Sequence, residues 1–158
     1  MKLARAIHFD ESDTRVYSNS ARTGEWCVSG GFEFSNWSEA DLDGKAKQAF
    51  SNGWFGLETS GRVTFVAVAK VTSQEVSHLE GLLADHFVTY YGAPSKELAI
   101  PVASDELQAM ADLCDEHDDN TLLVVSRELT EAGVKETFRI IDPEEALSLI
   151  HISEPTRQ

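Results

Sequence analysis

Arg62-Val63-Thr64-Phe65-Val66-Ala67-Val68-Ala69-Lys70-Val71 is the stretch on which the fold turns. Val63, Phe65, Ala67, Ala69 and Val71 fall on one alternation, and Val66 and Val68 on the other. A strand that is apolar on both faces is covered on both, which predicts a central position in a sheet. Immediately downstream, Thr72 and Glu75 have the spacing of a capping box. Val76, Leu79, Leu83, Phe87 and Tyr90 then recur at steps of three and four, which predicts an amphipathic helix ending at Gly92 and Pro94. Ser104 is expected to open another helix, with Leu107, Met110, Ala111 and Cys114 on its buried stripe. Thr121 to Leu129 reads as a strand, Thr130-Glu131-Ala132-Gly133 as a hairpin loop, and Val134 to Ile141 as the returning strand.

Upstream, Trp54-Phe55-Gly56-Leu57 reads as a bulky apolar turn. Ser38-Glu39-Ala40-Asp41 looks like a helix start, followed by Leu42, Ala46, Ala49 and Phe50 at helical spacing and closed by Asn52-Gly53. From Gly24 to Phe34 the residues Trp26, Val28, Phe32 and Phe34 share one face, as in a half-buried antiparallel strand. Gly30-Gly31 interrupts that strand, the mark of a bulge or a close backbone approach. Ser18 to Gly24 is a loop, Arg15-Val16-Tyr17 a short strand, and Asp10-Glu11-Ser12-Asp13 a turn after a first strand carrying Leu3, Ile7 and Phe9. The sum is a single α+β domain. It has an antiparallel or mixed sheet of about five strands and about three helices, mainly on one face.

Charge sets the first bound on function. The 158 residues carry 27 Asp and Glu against 13 Lys and Arg, a formal net charge of -14. Such a surface repels phosphate backbones and anionic membranes, so neither nucleic acid nor membrane is an expected partner. It suits a basic protein partner or a cationic ligand. Cys27 and Cys114 form no CxxC and read as reduced, buried thiols. The N-terminus has no apolar run of signal-peptide type, and the expected location is the cytoplasm.

The sequence offers little chemistry. His8, His78, His86 and His117 show no HxH or HxxxH pair. His78 and His86 lie about 12 Å apart along one helix, too far to share a metal. The acidic run Asp115-Glu116-His117-Asp118-Asp119-Asn120 lacks the ligand spacing of a calcium loop and reads as a solvated helix end. There is no GxSxG elbow, Walker loop or GxGxxG. No cofactor or metal site is expected. The candidate binding residues are Trp37, Trp54 and Phe55, as loop aromatics, with the glycines Gly30 and Gly31 beside a pocket. Arg5, Arg62, Arg127 and Arg139 are the cations that could converge there.

The last residues, Leu147-Ser148-Leu149-Ile150-His151-Ile152-Ser153-Glu154-Pro155-Thr156-Arg157, resemble one translated reading frame of a transposase-based sequencing adapter. Residues 147–158 are therefore expected to be a non-native tail on a domain of residues 1–146.

Several phrases together resemble a known family: Phe9-Asp10-Glu11-Ser12-Asp13-Thr14, Gly24-Glu25-Trp26-Cys27-Val28-Ser29-Gly30-Gly31-Phe32, Gly44-Lys45-Ala46-Lys47-Gln48-Ala49-Phe50 and Tyr91-Gly92-Ala93-Pro94. Thr121-Leu122-Leu123, before a hairpin ending near Phe138-Arg139, belongs to the same set. They are similar to small alphaproteobacterial proteins catalogued as a domain of unknown function, over Met1 to about Pro143. The resemblance implies a bacterial, cytoplasmic setting and no assigned activity. Two functions fit. The first is a non-enzymatic accessory or protein-interaction module with an exposed apolar patch. The second is a small-molecule-binding protein or enzyme whose site is assembled from distant residues.

Overall fold

The structure, a computed structural model, describes residues 1–9 and 12–145. Seven strands form one sheet in the order β4-β3-β2-β1-β5-β6-β7. They are β1 (Lys2–Ile7), β2 (Trp26–Val28), β3 (Trp54–Gly56), β4 (Arg62–Val63), β5 (Phe65–Lys70), β6 (Leu122–Thr130) and β7 (Gly133–Ile141). Every neighbouring pair is antiparallel. β1 and β5 pair over six residues, from Lys2 opposite Lys70 to Ile7 opposite Phe65. Val66 and Val68 are buried on one side of β5, and Phe65 and Ala67 on the other, so this part of the two-sided stretch is interior as its pattern required, whereas Arg62–Val63 at its start separates as the edge strand β4.

The helices are α1 (Ser12–Val16), α2 (Gly44–Asn52), α3 (Ser73–Tyr91) and α4 (Lys96–Cys114). α3 opens with the expected capping box, in which the Thr72 hydroxyl accepts from the Glu75 amide at 3.1 Å, and Gly92 closes it. Its stripe Leu79, Leu83, Ala84 and Phe87 packs against Ala99, Ala103, Leu107 and Met110 of α4. Each large apolar side chain so buried contributes roughly 1.5–3 kcal/mol. α4 also packs on β1 and β2, while α2 packs on β6 and β4. The sheet curls. Trp54 of β3 stacks on Phe138 of β7, ring centres 5.6 Å apart, although five places separate their strands.

Several expectations need correction. The sheet has seven strands rather than about five, because β3 and β4 have three and two residues and are too short for alternation to show. Trp54-Phe55-Gly56 is therefore a strand and not a turn. Arg15-Val16-Tyr17 is not a strand: Ser12–Val16 is helical and the Tyr17 amide bonds back to the Asp13 carbonyl at 3.0 Å. The strand expected from Gly24 to Phe34 stops at Val28. Gly30 takes a left-handed conformation and Gly31–Phe34 forms a 3-10 turn. Ser38 does cap a helical turn, a 3-10 turn at Glu39–Asp41, but α2 proper begins only at Gly44. α4 starts at Lys96, capped by Ser95, and not at Ser104. It accommodates Pro101 by giving up one backbone hydrogen bond. With a further helical segment at 143–145 there are five helices among the described residues instead of three. The tail expected to be non-native, residues 147–158, lies outside the described residues.

Candidate binding cleft

The interior where the curled sheet meets α2 is polar. Leu123, Val125 and Arg127 share one side of β6, and the guanidinium of Arg127 is buried like its apolar neighbours. All of its donors find acceptors. Nη1 bonds to the Phe50 and Gly53 carbonyls at 2.9 Å each and to the Ala49 carbonyl at 3.3 Å. Nη2 donates to the carbonyl of Ser29, and Nε to a carboxylate oxygen of Glu136 at 2.7 Å. Arg127 thus satisfies the Phe50 and Gly53 carbonyls at the end of α2, while that of Ala49 also accepts from the Gly53 amide. A second guanidinium, Arg62 of β4, donates to the Gly53 carbonyl at 3.1 Å, to the Gly30 carbonyl at 3.0 Å and to Glu33 at 2.6 Å. Both cations lie over the ring of Phe34, at 4.7 Å for Arg62 and 5.2 Å for Arg127. Burial, and then the Arg62 charge, weakens the hold of Arg127 on its proton. These two arginines fasten the Ser29–Phe34 segment to α2, β6 and β7.

On the outer side of that segment lies a cleft of about 390 Å3. Ala109, Met110 and Leu113 of α4 form one wall and Val134 and Phe138 of β7 the other, and Ser29, Gly31, Phe32 and Ser35 complete the lining. Two carboxylates enter it, Glu136 from β7 and Glu106 from α4. They differ in one respect. Glu136 accepts from Arg127 and from the hydroxyl of Ser29, so its charge is met. Glu106 is half-buried and makes no hydrogen bond or ion pair among the described residues. Burial first, then Glu136 and Asp105, raises its carboxyl above the ordinary glutamate range. A cleft with apolar side chains on both walls and one unmet negative group is complementary to a cation on a short apolar stem.

Reaction chemistry is weaker here. The Ser29 hydroxyl is committed to Glu136. Both thiols are buried: Cys27 is pushed well up by burial and the Glu25 charge, and Cys114 up to about 12, chiefly by burial. Thiols held protonated in this way are poor nucleophiles. Among the described residues no group of three or more His, Cys, Asp or Glu could hold a metal. The acidic run after α4 is tied down by Lys2, whose amide bonds to Asp115 at 2.7 Å and whose ammonium lies 3.7 Å from Asp119.

The candidate residues surround this region unequally. Gly31 lines the cleft, and a Cβ there would stand 2.6 Å from the Glu136 carboxylate. Gly30 lies behind it at φ +76°, where a Cβ would stand 2.3 Å from that of Phe55. Trp54 and Phe55 are not exposed loop aromatics. They are 0% and 2% exposed, because β3 carries them into the core. The Trp54 indole N–H is buried with no hydrogen-bond partner among the described residues. Trp37 is half-buried, edge-on to Phe34 at 4.7 Å, and lines two other hollows of about 220 and 530 Å3. Of the four arginines, Arg62 and Arg127 converge. Arg5 instead stacks on Trp26, and Arg139 lines a separate hollow of about 140 Å3. Sequence reasoning missed Ser29, Glu33, Phe34, Glu106 and Glu136. The Arg127–Glu136 pair had a signal, since the two are directly opposite in the hairpin register. Glu106 had none.

Comparison with known proteins gives one match. A family model described as a family of unknown function (DUF6505) covers residues 1–156. No curated protein and no solved structure matches the chain. No helix among the described residues is long and apolar enough to cross a membrane.

Proposed function

We propose that this chain, which belongs to the family of unknown function DUF6505, is a binding module whose cleft between α4 and β7 receives a cationic group. The observation that carries the reading is Glu106: a half-buried carboxylate, without a partner among the described residues, in a cleft whose other carboxylate, Glu136, is already met by Arg127. Leaving such a charge unpaired costs free energy that a bound ammonium or guanidinium recovers. The net charge of -14 enriches cations around the surface. The volume of about 390 Å3 falls within the range of small-ligand sites. Binding without turnover fits the committed Ser29 hydroxyl and the protonated thiols better than catalysis does. The two free cysteines suit a reducing compartment, and the proposal includes a cytoplasmic location.

The test is a chemical-shift titration of the amides with n-butylammonium, using n-butanol as the uncharged control. Saturable shifts centred on Glu106, Ala109 and Phe138, with a Kd on the order of millimolar, are expected for the amine alone. Equal shifts with butanol, or amine shifts that survive Glu106→Gln, would sink the reading.

A further inference from the structure

One wall of the cleft is an edge strand of the sheet. β7 is the last strand of the sheet, and all nine of its residues pair with β6 on one side only. Strands average about five to six residues, and natural sheets shorten, charge or cover a long edge. Here the edge carries Phe138 and Ile140, 36% and 52% exposed. The side chains that wall the cleft, Val134, Glu136 and Phe138, are alternate residues of this strand. Alternate side chains of a strand added beside β7 would stand in that same row. The opposite wall extends beyond the cleft as well. Leu98 and Val102, 64% and 53% exposed, precede Glu106 on α4 at four-residue steps, so they continue its side of the helix toward the tip of the α3–α4 hairpin.

Resting on the cleft reading above, we infer that the cation is the Lys or Arg side chain of an extended peptide segment of a partner protein, which adds to β7 as an eighth strand. Charge selects this occupant. The basic residues of β7 already have partners: Lys135 pairs with Glu128 at 3.8 Å, and Arg139 with Glu145. Glu136 is met by Arg127. Across the cleft from that row, on α4, the charge left open is that of Glu106, with Asp105 beside it. Backbone bonds to the edge supply affinity, and the alternate side chains entering the cleft supply selectivity. The favoured segment carries Lys or Arg flanked by apolar residues two positions to either side.

The probe is the peptide acetyl-Thr-Val-Thr-Lys-Thr-Val-Thr-amide, titrated into the full chain and followed by amide shifts and hydrogen exchange. It is compared with the same peptide carrying norleucine for lysine, with a version methylated at alternate backbone nitrogens, and with n-butylammonium. The lysine peptide is expected to bind at least about tenfold tighter than n-butylammonium or the norleucine peptide. It should slow exchange at alternate β7 amides and lose about tenfold or more on N-methylation. In Glu106→Gln the lysine and norleucine peptides should become equal. Butylammonium binding with no gain from the peptide and no protection of β7 would overturn strand addition and leave the cleft reading standing. Binding of neither would remove both. Protection of β7 that grows with protein concentration alone, together with a dimer mass, would give the edge to a second copy of this chain and refute the peptide.

Discussion

Replacing Arg127 by Met is a severe test of how the site is held together. The guanidinium satisfies the Phe50, Gly53 and Ser29 carbonyls and the Glu136 carboxylate from a fully buried position. Methionine has similar length and no donors, so these carbonyls and that of Ala49 lose this bond and Glu136 keeps only Ser29. Removing one partner of a buried ion pair costs about 3–5 kcal/mol, and here the loss comes from the buried carbonyls as well as from Glu136, whose side chain is 28% exposed. Total stability for a domain is about 5–15 kcal/mol, so this is a large share of it. For a chain of this size each kcal/mol moves Tm by about 2–4 °C, giving a drop of roughly 6–20 °C. Urea unfolding of the wild type, Arg127→Met and the double variant Arg127→Met/Glu136→Gln measures it. The double variant should recover part of the loss, since it removes the stranded charge. A single-variant loss below about 1 kcal/mol, within the range of exposed ion pairs, would refute the reasoning.

Three further outcomes follow from the same geometry. Glu106→Gln should stabilise the protein at pH 7. The folded carboxyl lies above its unfolded value, so its favourable protonated state is complete below the unfolded pKa and lost as pH rises through the folded one. The gain should vanish near pH 4 in Tm scans, and a pH-independent gain would contradict it. His86 sits among Phe55, Phe87 and Tyr91, and burial lowers its pKa from the ordinary 6.5. Stability should be full above that value and fall as pH drops toward the folded pKa, because the unfolded ring takes the proton first. His86→Gln should flatten that part of a Tm-against-pH profile. Gly30→Ala combines a positive φ with a 2.3 Å approach to Phe55. It should cost about 2–4 kcal/mol in denaturant unfolding, adding roughly 1 for the backbone to 1–3 for overpacking.

Much of the scaffold was legible. Arg62 to Val71 announced an interior strand by being apolar on both alternations, which holds for Phe65–Lys70 but not for Arg62–Val63, and Thr72 with Glu75 fixed the start of α3. The hairpin after Thr121 was legible from its turn residues. What failed had physical reasons. β3 and β4 are too short to have a period, and their residues are strand only because the sheet curls around them. Ser12–Val16 turns helical in a tertiary setting where Tyr17 and Asp13 both meet Thr64. α4 begins before Pro101 and not at Ser104, because the buried Ala99 and Ala103 pack its first turns into the core. Gly30 and Gly31 are legible as places of close approach, while Arg62 and Arg127 converge on the Gly53 carbonyl in the interior and not in the cleft itself. Glu106 is an ordinary acidic residue of an amphipathic helix in sequence. Only the placement of β7 against α4 leaves it half-buried and unmet.

The most direct measurement is a carbon-13 titration of the Glu106 carboxyl against pH, with and without n-butylammonium. An unmet carboxylate in the cleft predicts a midpoint above the ordinary glutamate range in the free protein and a downward shift when the amine binds. An ordinary midpoint that the amine leaves unmoved would contradict the cleft as a site for cations.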